Sequence, residues 1–212
     1  MTLEPSAKER PAAKNTPSRL PRDERRAQLL ASALEVFVNH GYHGAAMDEI
    51  AETAKVSKPV LYQHFPGKRE LYLALLDSHL ESLTAMLVEA LSSTADNKLR
   101  VQATMKAYYT FMANDDQAHR LVFESDLVND PDVAARLENF NANYANAIGQ
   151  VIAEDTKLSP VEATLLGRAL AGMAQVSARY WLEAKDQLDI DVASDLVYRL
   201  AWRGISRFPK ES

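Results

Sequence analysis

The chain has 212 residues, 47% of them hydrophobic and 25% charged, and a formal net charge of -5, enough apolar content for a sizeable core but a charge sum that on its own argues against nucleic-acid binding. It contains no cysteine, which excludes a disulfide framework, a thiolate metal site and a cysteine nucleophile and suits a cytoplasmic location. Nowhere do about 18 apolar residues follow one another, and the opening stretch lacks the apolar run of a signal peptide, so a chain that is neither exported nor embedded in a membrane is expected.

Charge is unevenly distributed. Basic residues outnumber acidic ones as far as Tyr72, and acids dominate beyond it. The first 21 residues carry Pro5, Pro11, Pro17 and Pro21 among Lys8, Arg10, Lys14 and Arg19, with almost nothing large and apolar to bury. They are expected to form a disordered basic arm.

Beyond the arm, apolar residues recur at three and four nearly to the end, and the pattern predicts an all-α fold of about nine helices. The first spans 22–40, with Leu29, Leu30, Ala33, Leu34, Phe37 and Val38 on one side and Gly41 as its C-terminal cap. A short second helix over 47–54 buries Ile50 and Ala51, and Lys55 and Val56 form a turn. A third covers 57–64, where Ser57 is a candidate cap and Pro59 is tolerated in the first turn because its missing N–H has no intrahelical partner. Pro66 and Gly67 then break the chain. A long fourth helix over 68–91 directs Leu71, Leu75, Leu76, Leu80, Leu83 and Leu87 inward. Further helices are expected at 97–113, 116–127, 131–154, 160–184 and 191–206, several announced by starts such as Asp130-Pro131 and Ser159-Pro160. The organisation expected is an arm (1–21), a three-helix head (22–67) and a helical body (68–212).

Two short helices joined by a tight turn, the second exposed and polar on one side, match a major groove about 12 Å wide. That pattern is weak alone, but the string GYHGAAMDEIAETAKVSKPVLYQHFPGKRELYLALL resembles the DNA-binding signature of the TetR family of regulators over nearly every position from Gly41 to Leu71. Val56, Leu61 and Phe65 read as the buried anchors of the head. The resemblance implies that Ser57, Lys58, Pro59 and Val60 approach base edges of double-stranded operator DNA, with Tyr62, His64 and Lys68 on phosphates. Ala45 and Ala46 depart from the family, which commonly places Thr and Ser there. The same head serves repression and activation.

In the last two long helices a stripe of small residues, Gly167, Ala171, Ala174 and Ala178, allows close approach of backbones, and the resemblance implies a homodimer through these helices, as a two-fold operator requires. The segment between head and dimer helices is rich in aromatic and flexible apolar residues. Tyr108, Phe111, Met112, Leu121, Phe123, Phe140, Tyr144 and Ile148, with Met173, are the candidate lining of an apolar ligand pocket, although helical spacing makes most of them core in any case. A hydrophobic small molecule is the expected effector. The strings VSKPVLYQHF, DNKLR, HRLVFESDLV and ARYWLEA further resemble actinobacterial regulators of fatty acid synthesis, which implies a long-chain acyl-CoA that releases the operator, with Arg120 or Arg179 as candidates to face its phosphates.

No enzyme is expected: GxxxxGK[ST], GxGxxG and GxSxG are absent, and the five histidines are scattered without the carboxylates of a zinc site. Catalytic residues, a metal and a resident cofactor are therefore not assigned. Two alternatives stay open, a TetR-type repressor of an efflux or catabolic gene answering another hydrophobic molecule, and a helical lipid-binding protein that does not bind DNA.

Overall fold

The computed structural model describes residues 20–114, 127 and 129–205. Eight α-helices occur among them: α1 (Arg22–Gly44), α2 (Met47–Thr53), α3 (Lys58–His64), α4 (Lys68–Ser92), α5 (Asn97–Asn114), α6 (Pro131–Asp155), α7 (Pro160–Glu183) and α8 (Ile190–Ile205). Most of the expected arm and of the expected helix over 116–127, including Arg120, Leu121 and Phe123, lies outside the described residues.

The helix starts are chemically specified. Asp130 accepts from the amides of Asp132 and Val133 with Pro131 in the first turn, and Ser159 and Glu162 form a reciprocal capping box at the start of α7. Each satisfies backbone donors that the first helical turn leaves without partners. The Ser159 hydroxyl, with the Ser159 amide, also holds the Glu162 carboxyl below the usual carboxylate range.

Two helix ends differ from the spacing-based expectation. At Gly41 the backbone leaves helical geometry, with φ 67° and ψ 171°, but another turn then runs on to Gly44. That conformation is open essentially to glycine alone. It swings Tyr42 against Phe37 and Tyr72, at centroid distances of 6.0 and 5.3 Å. Ser57 does occupy the N-cap of α3, yet its hydroxyl makes no capping hydrogen bond. The turn between α2 and α3 is closed by Lys55 in the left-handed region, φ 54°, and by the Val56 amide donating to Ala51 O at 3.0 Å.

Helix α4 spans head and body. Near its start, Leu71, Tyr72, Leu75 and Leu76 are buried against the head, and Leu80, Leu83 and Leu87 continue the same core into the body. It is long and apolar enough to cross a membrane by length and composition, but those side chains are packed inside the protein. In the body, α5 packs on α4, α7 and α8, and α6 lies along α7 in the most extensive helix pairing of the molecule.

The small residues of α7 pack within the chain, the close approach of backbones that their spacing allows. Gly167, Ala171, Ala174 and Ala178 are buried, and a β-carbon on Gly167 would overlap the Ala145 carbonyl oxygen of α6. Across the same seam, a β-carbon on Gly149 would stand 3.1 Å from Ala163 O. The outward apolar stripe of α7 is a different one, Val161, Leu165, Val176 and Tyr180, and α8 adds Val192, Leu196 and Leu200, all exposed.

Candidate functional site

The head is assembled by α1. Gln28 Nε2 donates to the Ala54 carbonyl at the end of α2, at 2.9 Å, and Gln28 Oε1 accepts a hydrogen bond from Arg25 at 2.6 Å. The Arg26 guanidinium lies 4.6 Å from the centroid of Phe65, the residue that ends α3. With Leu61 and Phe65 fully or almost fully buried and Val56 partly so, the angle between α2 and α3 is fixed from inside. The opposite side of α3 is free: Ser57, Lys58, Pro59, Tyr62 and Gln63 are exposed and Val60 and His64 half-buried. Tyr62, at 47% exposure, is not a core tyrosine.

Two charged groups of this face already have partners. Lys58 Nζ donates to Asp48 Oδ2 across the helix pair at 2.6 Å, and that bond raises the lysine above its ordinary pKa. Lys68, expected on a phosphate, is held by the protein itself in this structure. Its ammonium donates to the carbonyls of Tyr42, His43 and Ala45 at 2.8, 3.3 and 2.9 Å and sits 4.7 Å from the Tyr42 ring centroid. An ammonium has three donors, so in this arrangement none is left for DNA. Burial of Ala45, 4% exposed, explains why a small apolar residue is acceptable where a hydroxyl is common.

The basic residues at the start of α1 were missed as site residues. Arg22 and Arg25, with Leu20, share a recess with Val60, Gln63 and His64. Burial first, then the guanidiniums of Arg22, Arg26 and Arg25, hold the His64 imidazole below its ordinary value. The signal was available as Arg22, Arg25 and Arg26 on one side of the first helix, but the sequence pattern does not say that this end of α1 reaches α3.

In the body, an apolar cleft of about 630 Å³ opens between α4 and α6. Leu80, Thr84, Leu87, Val88 and Leu91 form one wall and Phe140, Asn143, Tyr144 and Ala147 the other, with Asp77, Glu81 and Arg136 towards the head. Of the expected lining, Phe140 and Tyr144 are in the wall. Tyr108, Phe111, Met112 and Ile148 are buried core residues and Met173 is half-buried, and these five do not line the cleft. The α4 wall was not anticipated, because its residues were read as contacts of a closed core. Arg179 is exposed, and the cation beside the cleft is Arg136, bonded to Asp77 at 2.7 Å.

The first turn of α4, where the head is attached, is also tied to α6 by charge. Arg69 in the first turn of α4 donates to Asp130 at 3.1 Å and to Asp132 at 2.6 Å, at the start of α6. Burial pushes the Asp130 carboxyl up, but the amides of Asp132 and Val133 and the Arg69 guanidinium hold it below the usual range. Among the described residues no group of His, Asp and Glu is arranged to hold a metal.

A three-helix head presenting one polar helix, continued by a single helix into a body with an apolar cleft, defines the class of helix-turn-helix transcriptional regulators. Residues 29–75 match the model of the bacterial regulatory proteins of the TetR family. The chain is 44% identical to the HTH-type transcriptional activator FasR of Mycolicibacterium smegmatis, over 98% of this chain and 95% of that protein. The chain belongs to the TetR family. Its fold is similar to that of a TetR-like regulator from Rhodococcus sp. RHA1 (TM-score 0.73, 24% identity, 89% and 100% of the two chains). It is also similar to FadR from Bacillus subtilis in complex with stearoyl-CoA (TM-score 0.68, 18% identity, 82% and 96%).

Proposed function

We propose that this protein is a cytoplasmic, non-enzymatic regulator of fatty acid synthesis genes whose grip on its operator is released by a long-chain acyl-CoA. The observation that carries the reading is that α4 is one wall of the cleft and, at its other end, the attachment of the head. A ligand shifts an equilibrium only by favouring one of two arrangements, and a tail lodged between α4 and α6 favours the arrangement in which they stand further apart. The likeness to the activator FasR over almost the whole chain and to a fold that holds stearoyl-CoA supports the choice of ligand.

The division of labour follows. Residues 22–67 read DNA, with Ser57, Lys58, Pro59 and Val60 at base edges and Tyr62 and His64 at phosphates, joined by Arg22 and Arg25. The arm, 1–21, adds screened attraction to the phosphates. Residues 68–212 sense and pair: two copies join through the exposed faces of α7 and α8, placing their recognition helices about 34–36 Å apart, or a multiple of that, over successive major grooves.

The test is fluorescence anisotropy of a labelled fatty-acid-synthesis operator against acyl-CoAs of increasing length. Release should grow more potent with length, each buried methylene adding roughly 0.8 kcal/mol until the cleft is full. Ala147→Phe, which fills the cleft, should keep DNA binding and lose the response. A flat response at every length removes the acyl-CoA reading and leaves the family assignment standing.

A further inference from the structure

In and behind the α6 wall of the cleft lie two polar atoms that no described residue satisfies. The hydroxyls of Tyr144 and Tyr108 are buried and have no hydrogen-bond partner among the described residues. The two rings stack at 6.4 Å with 14° between their planes, and Phe140 continues the stack at 6.2 Å and 19° from Tyr144. Phe140 and Tyr144 line the cleft, the Tyr144 hydroxyl itself lying buried beneath that surface, and Tyr108, fully buried, stands behind them.

Buried hydroxyls are almost always hydrogen-bonded in native proteins, and a stranded one costs its desolvation without compensation. Phenylalanine at either position would fill the same space without that cost. Burial also pushes both phenols far above their ordinary titration range, so at neutral pH each keeps its proton and is a donor. A buried donor needs an acceptor, and a bare hydrocarbon tail supplies none.

We propose that the cleft recognises an oxygen atom of its effector as well as a tail: the Tyr144 hydroxyl, with Tyr108 as a second donor behind it, hydrogen-bonds a carbonyl or hydroxyl oxygen carried by an acyl ligand. The inference rests on the acyl-effector reading above and specifies its chemistry. The oxygen has two possible sources, the thioester carbonyl or an oxygen further along the chain.

Calorimetric titration of the full chain with three probes separates them: stearoyl-CoA, 3-hydroxystearoyl-CoA and S-octadecyl-CoA, a thioether with no carbonyl. At least one oxygen-bearing probe should bind about tenfold more tightly than the thioether, and Tyr144→Phe should erase that margin, Tyr108→Phe reducing it. A margin for stearoyl-CoA identifies the thioester, and a margin only for the hydroxyacyl probe identifies the chain oxygen. Without ligand, both Phe variants should melt at or above the parent temperature, and both should bind the thioether as the parent does. Equal binding of all three probes by the parent overturns the inference while leaving the acyl-CoA reading intact. Failure of all three to bind the parent overturns both.

Discussion

Lys68 and Tyr42 hold each other from two sides: the ammonium donates to the Tyr42 carbonyl at 2.8 Å and lies 4.7 Å from the centroid of the same residue's ring. The departure of the backbone from helical geometry at Gly41 turns the carbonyls of Tyr42, His43 and Ala45 towards this one cation. Lys68 is therefore the clasp between the end of α1 and the start of α4.

Lys68→Met should accordingly lower the stability of the head by about 2 kcal/mol, the scale of hydrogen bonds to a charged group. Operator affinity should fall with the loss of folded head. Its salt dependence should stay close to that of the parent, whereas removal of a phosphate contact lowers the slope by about one unit. Thermal melts and salt titrations of the same variant decide between the two roles.

The bond from Lys58 to Asp48 holds to its own protein a lysine proposed above to face the bases. Asp48→Asn should free the ammonium and remove a negative charge from the DNA side, raising operator affinity roughly threefold at low salt, with the gain shrinking as salt screens it. In a Lys58→Ala background the same change should give a smaller gain, and the difference is read as a double-mutant cycle. Equal gains in both backgrounds would show that Asp48 acts on DNA by itself.

His64 sets a pH dependence. In the free protein, burial and then the neighbouring arginines keep its imidazole below the ordinary value, and phosphates of bound DNA oppose those arginines. The imidazole pKa is then higher in the complex than in the free protein, so binding takes up a proton. Operator affinity should rise as pH falls through the range between the bound and free imidazole values, and level off below the free-protein value. His64→Gln should flatten that portion of the profile, measured by anisotropy at constant ionic strength.

Arg69 joins the first turn of α4 to the start of α6 through Asp130 and Asp132, and it is 42% exposed in its side chain. Arg69→Gln should leave effector-free operator affinity within a factor of two. The ratio of affinities with and without stearoyl-CoA should drop by about fivefold, within the usual span of coupling between sites. A variant with unchanged ratio would show that the ion pairs only decorate the joint.

The helices were largely legible because their periodicity and start signals are local. Asp130-Pro131 and Ser159-Pro160 announce α6 and α7 within a few residues, and the buried set of α4 follows from its leucine spacing. What spacing leaves open is which neighbour covers a face. Helix α7 is apolar on two sides, and spacing alone does not say that the small-residue side is the one that meets α6. Likewise Leu80 and Leu87 belong to the core as expected, yet with Thr84 and Val88 they border open space. The exposed side of α3 was readable from the local pattern, whereas the Lys68 clasp joins residues 23 to 26 positions apart and has no local signature.

The absent side chain at Gly167 settles which part of the body can yield. There α6 and α7 approach until a single added carbon would strike the Ala145 carbonyl oxygen, and one on Gly149 would be in tight contact with Ala163, at 3.1 Å. Packing this tight has no slack to compress, and sliding along it would drive neighbouring alanines into the opposing backbone. The cleft has α6 as one jaw and α4 as the other. With α6 braced along its length by α7, an occupant that needs more width displaces the opposite jaw. On the function proposed above, α6 and α7 would be the stator and α4, which carries the head, the rotor.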